Sequence, residues 1–306
     1  MTVKNNVLKG VLFVALGATS YGMLATFVKI AYGEGFTTAE VTTSQFIYGL
    51  IGVLLINAFQ KNKNKENVTK ASRKNIMQLM IAGTSMGFTS LFYYLAVKYI
   101  PVSIGIVLLM QTVWMGVLLE WILDNKRPSL QKTIAVIVVL IGTGLAINIL
   151  AIDFNDPNTN WPIGIMWGLL AAASFTTTMF TSNRIALNVS AAQRSLFMLS
   201  GGAVIVFSFA LITQNTPFNL EIFAKWGIIL ALFGTIIPPM LLNAGFPHIS
   251  LGLGSIVASL ELPVSVLMAY ILLKEPVNGI QWLGILLIIF AIVIMNVNFK
   301  KRNSLL

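Results

Sequence analysis

Ten apolar segments of near membrane-spanning length follow one another along the chain, separated by short polar connections. A helix needs about 20 apolar residues to cross the roughly 30 Å hydrocarbon core of a bilayer, so each segment predicts one transmembrane helix. The segments are 8–31, 38–58, 75–98, 102–122, 132–150, 162–183, 194–213, 223–244, 250–273 and 280–298. Charged residues make up only 10% of the chain, against about 25% in soluble domains. The sequence therefore predicts an all-α integral membrane protein with ten transmembrane helices.

The 20 Lys and Arg residues are distributed unevenly between the two predicted faces. With a cytoplasmic N-terminus, all except Lys29, Lys98, Lys225 and Lys274 fall on the cytoplasmic side, as the positive-inside rule requires. An even number of helices returns the C-terminus to the same side. We therefore expect a multi-pass protein of the cytoplasmic (inner) membrane, with both termini in the cytoplasm and the lipid bilayer as its surroundings. The net charge of +10 is then a topology signal, so nucleic-acid binding is not expected.

The two halves of the sequence repeat each other. Residues 10–21 align with residues 164–175, and an offset of 149 sets Tyr99 against His248 and Thr112 against Glu261. Gln131 similarly matches Gln281 in the last helix of each half. Since each half has five helices, an odd number, the second copy crosses the membrane in the opposite sense. The sequence thus predicts two inverted five-helix repeats, in residues 1–150 and 160–302, with a binding site at the midplane between them.

The ninth segment and its exit read SLELPVSVLMAYILLKEP, from Ser259 to Pro276. This resembles the LEP and LGE pattern of the drug/metabolite transporter superfamily, in its EamA-like group of ten-helix transporters. The first half departs from the pattern, with Thr112 and Trp114 where the motif has Glu and Pro. The resemblance implies alternating access around a central cavity lined mainly by the first four helices of each half. It also implies export of a small solute, in a superfamily that handles amino acids, other metabolites, nucleotide sugars and drugs.

Glu261 is the one acidic residue far from the end of a predicted helix, roughly 16 Å from either end of its segment. A carboxylate at that depth costs at least about 2.5 kcal/mol unless it is protonated, paired or facing a wet cavity. Two interpretations stay open. Glu261 carries a coupling proton or meets a positive group of the substrate, or it is a structural residue that pins the kink before Pro263.

Other residues at similar depth are candidates for substrate binding. In the helix related to that of Glu261 they are Gln111, Thr112 and Trp114, and in the first helix of each half they are Ser20, Tyr21, Ser174 and Thr178. A mid-membrane indole can hold an apolar or cationic group, and hydroxyls can bond a solute. The competing interpretation is that the indole faces lipid and that the hydroxyls bond their own helix backbone.

Three prolines are candidate hinges, because proline removes a backbone donor and bends a helix, with a simple packing kink as the alternative. They are Pro263 in the ninth segment and Pro238 and Pro239, which are expected to break the eighth. Tyr93 and Tyr94 are candidates for an exit gate, with interfacial anchoring as the alternative. Glu120 is expected at the surface, paired with Lys126 or Arg127, and carries no function in this interpretation.

The expected function is secondary active or facilitative transport, in the export direction, of small organic metabolites such as amino acids. The alternatives are a proton-coupled multidrug exporter of lipophilic cations and a non-transporting membrane scaffold or partner subunit. No phosphate loop, HExxH or nucleophile elbow occurs in the sequence, so an enzyme is not expected. The expected partners are a small-molecule substrate and the bilayer, with a coupling proton as the one possible cofactor and no metal. The chain is expected to act as a monomer or homodimer, with the fifth and tenth helices at the periphery or in a subunit contact.

Overall fold

The structure, a computed structural model, describes residues 3–63, 71–125, 127–154, 156–157 and 159–296. All regular structure in these ranges is helical, and they contain no strand. The α-helices are α1 Val3–Gly33, α2 Thr38–Lys63, α3 Arg73–Tyr99, α4 Val102–Leu109, α5 Thr112–Asp124, α6 Leu130–Ala146, α7 Trp161–Arg184, α8 Ala191–Thr213, α9 Ile228–Ala231, α10 Ile237–Gly245, α11 Leu251–Ala258, α12 Glu261–Leu272 and α13 Gly279–Asn296.

These helices assemble into ten apolar spans. Eight stretches are long and apolar enough to cross a membrane, among them the broken pairs α4/α5 and α11/α12, and α6 and α13 are shorter apolar helices. The predicted ten-helix architecture is thereby confirmed. We call the face where α1 begins the terminal face and the face where α1 ends the opposite face. The ends of α5, α7 and α10 and the starts of α8 and α11 lie at the terminal face, since each span reverses direction.

The packing of the helices shows the inverted repeat. In the first half α1 packs along α10 and the α11/α12 span, and in the second half its counterpart α7 packs along α3 and the α4/α5 span. The helices α2 and α8 pack on each other, as do α6 and α13, so each of these pairs is related by exchange of the halves. Individual contacts repeat as well: the side chain of Ile249 lies against Gly10, and that of Ile100 lies against Gly164. These pairs obey the offsets of 154 for α1 and 149 for α4 that the sequence alignment gave.

The matched glutamines form a second repeated contact. Gln131 Nε2 donates to the carbonyl oxygen of Ile294 at 2.6 Å, and Gln281 Nε2 donates to that of Ala146 at 3.2 Å. Each glutamine therefore caps carbonyl groups in the last turn of the partner helix, which would otherwise lack a donor. The α6 and α13 pair is held together in this way at both ends.

The fourth span of each half is interrupted at the same place. Helix α4 ends at Leu109 and α5 begins at Thr112, while α11 ends at Ala258 and α12 begins at Glu261, an offset of 149 throughout. The first half has no proline at this depth, because Trp114 stands where the second half has Pro263. The interruption is therefore a property of the repeat, and Pro263 reinforces it in one half only.

The eighth span continues through Pro238 and Pro239 instead of breaking there. A π-helical turn, Leu232–Ile236, directly precedes α10, and a second one, Phe223–Gly227, precedes α9. A wider turn makes room for proline rings and for the backbone donors that prolines lack. The helix is therefore continuous and locally widened, where the sequence predicted a break. The prolines supply no backbone N–H group to the carbonyls of Gly234 and Thr235, which lie four positions earlier in the chain.

Close helix packing at Gly83 gives a stability prediction. A Cβ at Gly83 would run into the backbone of Met198 in α8, whereas a Cβ at Gly144 of α6 would meet only a methyl group of Ile149 at 3.7 Å. Alanine favours a helix over glycine, so both changes gain propensity and differ only in packing. We expect Gly83→Ala to lower the free energy of unfolding by about 1–3 kcal/mol through overpacking, and Gly144→Ala to leave it unchanged or raise it. Thermal unfolding in detergent measures both, and equal effects would contradict the described α3 and α8 contact.

Candidate functional site

A cavity runs from the middle of the protein to the opposite face. It is lined by side chains from α1, α2, α3, α4, α7, α12 and the π turn before α10. On α1 the lining starts at Tyr21, near the middle of the helix, and continues to Lys29 and Tyr32 at its end. On α3 it likewise reaches Val97, one turn from the end of that helix. The cavity thus opens toward one face of the protein, and the terminal-face halves of α1 and α3 do not line it.

Glu261 lies at the floor of this cavity. It is the first residue of α12, so its carboxylate sits beside the amino-terminal end of a half-helix, where the helix dipole favours negative charge. Gly22 of α1 packs against its carbonyl oxygen, where no larger residue would fit. Among the residues that the structure describes, Glu261 has neither a hydrogen-bond nor an ion-pair partner. The cavity therefore contains a partly buried carboxylate that no other side chain neutralises.

Aromatic rings surround this carboxylate. Tyr21 and Phe175 meet edge to face with ring centroids 5.9 Å apart, and both line the cavity. They occupy equivalent positions of the two repeats, at the offset of 154, so the pseudo-two-fold axis passes between them. The ring centroid of Tyr94 lies 5.9 Å from that of Tyr93 and 6.0 Å from that of Tyr32. These contacts extend the aromatic wall toward the opposite face. Such a wall can hold an apolar body or the face of an organic cation.

Most of the hydroxyl groups that line the cavity already donate to neighbours. Thr89 Oγ1 donates to the carbonyl of Ser85 at 2.7 Å, and Thr235 Oγ1 to that of Gln45 at 3.0 Å. The hydroxyls of Thr178 and Ser85 are 2.7 Å apart. A hydroxyl that donates in this way keeps its acceptor lone pairs. The hydroxyls of Thr89, Thr178 and Thr235 accordingly offer acceptors to the cavity, which suits a ligand that brings donors of its own.

The positive charge at the mouth of the cavity is neutralised. Lys29 lines the mouth and forms an ion pair with Glu275, in the turn that follows α12. Lys29 is seven residues beyond Gly22 on α1, so its backbone lies about 10 Å further along the helix than the contact with Glu261. The floor and the mouth of the cavity therefore differ, with a carboxyl group that lacks a side-chain partner at the floor and an ion pair at the mouth.

Comparison with known proteins places this architecture in a family. The sequence matches the EamA-like transporter family twice, over residues 8–148 and over residues 162–297. The chain belongs to the EamA-like transporter family. It is 23% identical over 322 residues to the uncharacterized transporter sll1319 of Synechocystis sp. (strain ATCC 27184 / PCC 6803 / Kazusa), covering 97% of this chain and 96% of that protein.

Two further similarities agree with this membership. The uncharacterized transporter YetK of Bacillus subtilis (strain 168) is 26% identical over 260 residues, which cover 82% of this chain and 76% of YetK. A crystal structure of a protein that is 13% identical superposes with a TM-score of 0.75, covering 96% of this chain and 98% of the other, and shows the same fold. This EamA-like protein is accordingly a multi-pass membrane protein of a transporter family.

The cavity of the EamA-like chain brings together five of the residues singled out in the sequence. They are Glu261, Tyr21, Thr178, Tyr93 and Tyr94. Pro238 and Pro239 do not line it, but the lining residues Gly234 and Thr235 stand four positions before them. Pro263 is buried two residues beyond Glu261. The prediction of a midplane site built around Glu261 thus corresponds to the observed cavity, and its role in transport stays a prediction.

Five other candidates lie outside the cavity. Ser20 Oγ donates to the carbonyl of Phe233 at 3.1 Å, and Ser174 Oγ to that of Ser85 at 2.9 Å, so both tie neighbouring helices together. Trp114 is 36% exposed on the outer surface of the bundle.

Trp114 Nε1 donates to Gln111 Oε1 at 2.8 Å, within the turn that joins α4 to α5. Thr112, at the start of α5, is fully buried. The structure therefore does not bring the Gln111, Thr112 and Trp114 group together with Glu261.

Several lining residues were missed by sequence reasoning. Lys29 lies eight residues beyond Tyr21 on α1, and Ser265 lies four beyond Glu261 on α12, so helical periodicity places both on the faces already chosen. Gln45 and Thr235 come from α2 and the π turn, and no local pattern marks them. They line the cavity only because the two repeats pack around it.

The expectation for Glu120 was wrong. It is only 16% exposed, and its carboxylate accepts from Lys132 Nζ at 2.7 Å and from the backbone nitrogen of Gly252 at 2.5 Å. A carboxylate at the start of α11 completes the donors that a helix terminus leaves unpaired. Glu120 thereby joins α5, α6 and α11 at the terminal face, and the alternative partner Lys126 lies outside the described residues.

Accessibility of single cysteines tests the position of the cavity, and the natural chain contains no cysteine. Ser90 lines the cavity, whereas Ser20 is buried against Phe233 at similar depth. We expect Ser90→Cys to react with a hydrophilic thiol reagent at least tenfold faster than Ser20→Cys, because water reaches only the former. Equal rates for the two variants in the folded protein would contradict the described cavity.

Proposed function

We propose that this EamA-like protein is a secondary active or facilitative transporter of small organic metabolites that carry a positively charged amino group, amino acids and amines among them. It works by alternating access, and Glu261 binds the amino group. The observation that supports this most directly is the uncompensated carboxylate of Glu261 at the floor of an aromatic-lined cavity. An ionised carboxylate without a partner is expensive at that depth, so Glu261 is expected to hold either a proton or a ligand cation, and an ammonium group can take the place of the proton.

The lining favours an organic cation over an anion. The rings of Tyr21 and Phe175 present their faces and edges beside the carboxylate, and most neighbouring hydroxyls have acceptor lone pairs to offer. An ammonium group brings up to three donors and a positive charge, both of which this wall can satisfy. A free carboxylate or phosphate would instead meet the negative charge of Glu261 without a free cation nearby.

Recognition is through the amino group alone. The two charged groups of an α-amino acid are attached to one carbon atom, whereas the backbone of Lys29 lies about 10 Å further along α1 than Gly22, which contacts Glu261. Glu275 already occupies Lys29. The carboxylate of an amino acid therefore adds little affinity, and we expect amines and amino acid esters to bind at least as tightly as the parent amino acids.

A single carboxylate that binds either a proton or a substrate cation couples the two. In this scheme the substrate leaves Glu261 toward the opposite face, and a proton from that side then binds Glu261. When the site next opens to the terminal face, Glu261 releases this proton there. With the termini in the cytoplasm of an inner membrane, this exchange exports the substrate in the direction that the family resemblance implies. The same residue then serves both coupling and recognition, and no metal or organic cofactor takes part in the proposal.

A multidrug exporter of lipophilic cations is the second candidate function. The continuous aromatic wall of Tyr21, Phe175, Tyr93, Tyr94 and Tyr32 favours it, because such a wall accepts flat apolar cations of many shapes. The two candidates share Glu261 and differ in selectivity. A metabolite transporter prefers one chemical class of amine, whereas a multidrug exporter binds several unrelated lipophilic cations equally well.

Ligand-induced thermal stabilisation of the purified protein tests the role of Glu261. The screen contains amino acids, their methyl esters, primary amines, organic anions and lipophilic cations. We expect amines or amino acid esters to raise the unfolding temperature, and Glu261→Gln to weaken the apparent affinity at least tenfold because it removes the charge and keeps the shape. Glu221→Gln is the matched control, since Glu221 is exposed and pairs with Lys225 outside the cavity.

The outcomes separate the candidates. Stabilisation by one amine class, lost in Glu261→Gln and kept in Glu221→Gln, supports the metabolite transporter. Equal stabilisation by unrelated lipophilic cations, also lost in Glu261→Gln, supports the multidrug exporter. Stabilisation that survives in Glu261→Gln, or stabilisation by anions only, contradicts the assignment of Glu261.

Proton release on binding tests the coupling separately. If the substrate cation displaces a proton from Glu261, adding it to the protein in weakly buffered solution releases up to one proton per protein molecule, and Glu261→Gln releases none. The measurement is a pH indicator signal on mixing. Substrate binding with identical proton release in both proteins would show that another group carries the proton.

A further inference from the structure

The inverted repeat relates the cavity, here called the open half, to an equivalent set of positions at the terminal face, here called the second half. The open half is lined near the opposite face by Val28 and Lys29 of α1 and by Tyr94 of α3. The offsets of 154 and 149 carry these positions to Ser182, Asn183 and Asn243, at the terminal face. All three are buried, and none lines the cavity.

Arg194 joins helix ends in this second half. Its guanidinium donates to the carbonyl oxygens of Ser182 at 2.6 Å and Asn243 at 2.8 Å, and to those of Thr181 and Ile185 at 3.1 Å each. Two of the three residues equivalent to the open lining are therefore tied to one side chain. The guanidinium joins the end of α7 to the end of α10 from the start of α8.

The guanidinium of Arg194 caps helix ends without an ion-pair partner. Arg194 is 1% exposed, and in the described ranges it has no carboxylate partner within ion-pair distance. Its four acceptors are carbonyls in or beside the last turns of α7 and α10, where the helix dipoles have their negative ends. The carbonyl of Thr181 also accepts from the backbone nitrogen of Ile185 at 3.0 Å. Capping these carbonyls stabilises the closed arrangement without the strong pairing that a buried carboxylate would add.

Two asparagines complete the cluster. Asn183 Nδ2 donates to the carbonyls of Phe246 at 2.7 Å and Ile249 at 2.9 Å, in the turn between α10 and α11. Asn243 Nδ2 donates to Ser195 Oγ at 3.0 Å. Each side chain bonds a different structural element, so opening this face exchanges these bonds for bonds to water and leaves polar groups along the path.

Among the described residues, no guanidinium caps helix ends at the corresponding place in the open half. Helix α2 starts with a Thr37 cap and α8 with a Ser190 cap, which sets the offset at 153 and makes Val41 the counterpart of Arg194. Val41 donates nothing from its side chain, and beside it the ends of α1 and α3 meet through apolar and aromatic contacts such as that of Tyr32 with Tyr94, two residues that line the cavity mouth. The difference between the closed and the open face thus coincides with the presence or absence of this guanidinium.

We propose that Arg194 is the latch of the terminal-face gate, and that Ser182, Asn183 and Asn243 line the substrate path when that gate opens. Glu261 lies beside the Tyr21 and Phe175 pair on the pseudo-two-fold axis, so it is at the junction of both half-paths. The proposal rests on alternating access, the mechanism proposed above, and it names residues outside the cavity that control which face is open.

Reactivity of paired single-cysteine reporters tests the latch without any substrate. Ser182→Cys reports on the terminal-face path and Ser90→Cys on the open cavity, each in the native background, with Arg194→Gln and with Arg194→Lys. We expect Arg194→Gln to accelerate labelling of Ser182→Cys by a hydrophilic thiol reagent at least tenfold and to slow labelling of Ser90→Cys. Arg194→Lys keeps the charge but cannot reach four carbonyls with one ammonium group, so an intermediate effect is expected.

The reciprocal change is the result that a merely structural role would not produce. Faster labelling at both reporters indicates a loosened fold and overturns the proposal, as does an unchanged rate at Ser182→Cys. Arg184→Gln is the matched control, because Arg184 is at the same face in a half-exposed ion pair with Asp124 and is expected to change neither rate. If Arg194→Gln does not fold, Asn183→Ala removes two of the gate bonds and is expected to act in the same direction with smaller effect.

The readout also separates this proposal from the assignment of Glu261. One outcome is a reciprocal change in labelling together with ligand binding that is equally tight in Glu261→Gln. It supports the latch and contradicts the assignment of Glu261 as the substrate site. Ligand binding that depends on Glu261, combined with labelling unchanged by Arg194→Gln, supports the site and removes the latch.

Discussion

Inside a bilayer every backbone N–H and C=O must find a partner within the protein, and this constraint governs where the structure can depart from a regular helix. The departures occur in three places: between α4 and α5, between α11 and α12, and in the π turns of the eighth span. The two interruptions and the π turn Leu232–Ile236 stand beside the cavity, to which they contribute Leu109, Glu261, Gly234 and Thr235, whereas the π turn Phe223–Gly227 lies near the opposite face with Lys225 exposed. One of the irregular places therefore brings the amino-terminal end of the half-helix α12 to the cavity.

The two repeats share a backbone plan and differ in the chemistry that they place on it. Both fourth spans are interrupted at the same offset, yet one presents Glu261 to the cavity and the other presents buried Thr112 at the equivalent position. Both second spans begin with a side-chain cap, yet one continues with Val41 and the other with Arg194. Symmetry supplies two interchangeable packings, and these unequal residues give each face its own charge and its own bonds.

Several features of the site follow from local patterns in the chain. The carboxylate at Glu261 stands out in any hydropathy reading, and helical periodicity from Tyr21 and Glu261 extends to Lys29 and Ser265 on the same faces. The repeat was visible from matched residues such as Gln131 and Gln281, whose cross-bonds to Ile294 and Ala146 hold α6 and α13 together. The sequence-based prediction was wrong where residues at equivalent positions of the two repeats were expected to lie close together in space. Trp114 matches Pro263 in register, but its indole bonds Gln111 and lies on the outside of the bundle.

The sequence by itself determined the membrane-spanning helices, their number and their inverted relation, because hydrophobic length and repeat register are properties of the chain alone. It also determined that a carboxylate would lie near the midplane. Only the tertiary structure decided which helices enclose that carboxylate, that Gln45 and Thr235 join it, and that Arg194 bonds the ends of α7 and α10 instead of facing water. The physical reason is that these contacts join residues distant in sequence, and the pairing of helix faces in a membrane depends on close packing and satisfied polar groups that no single segment encodes.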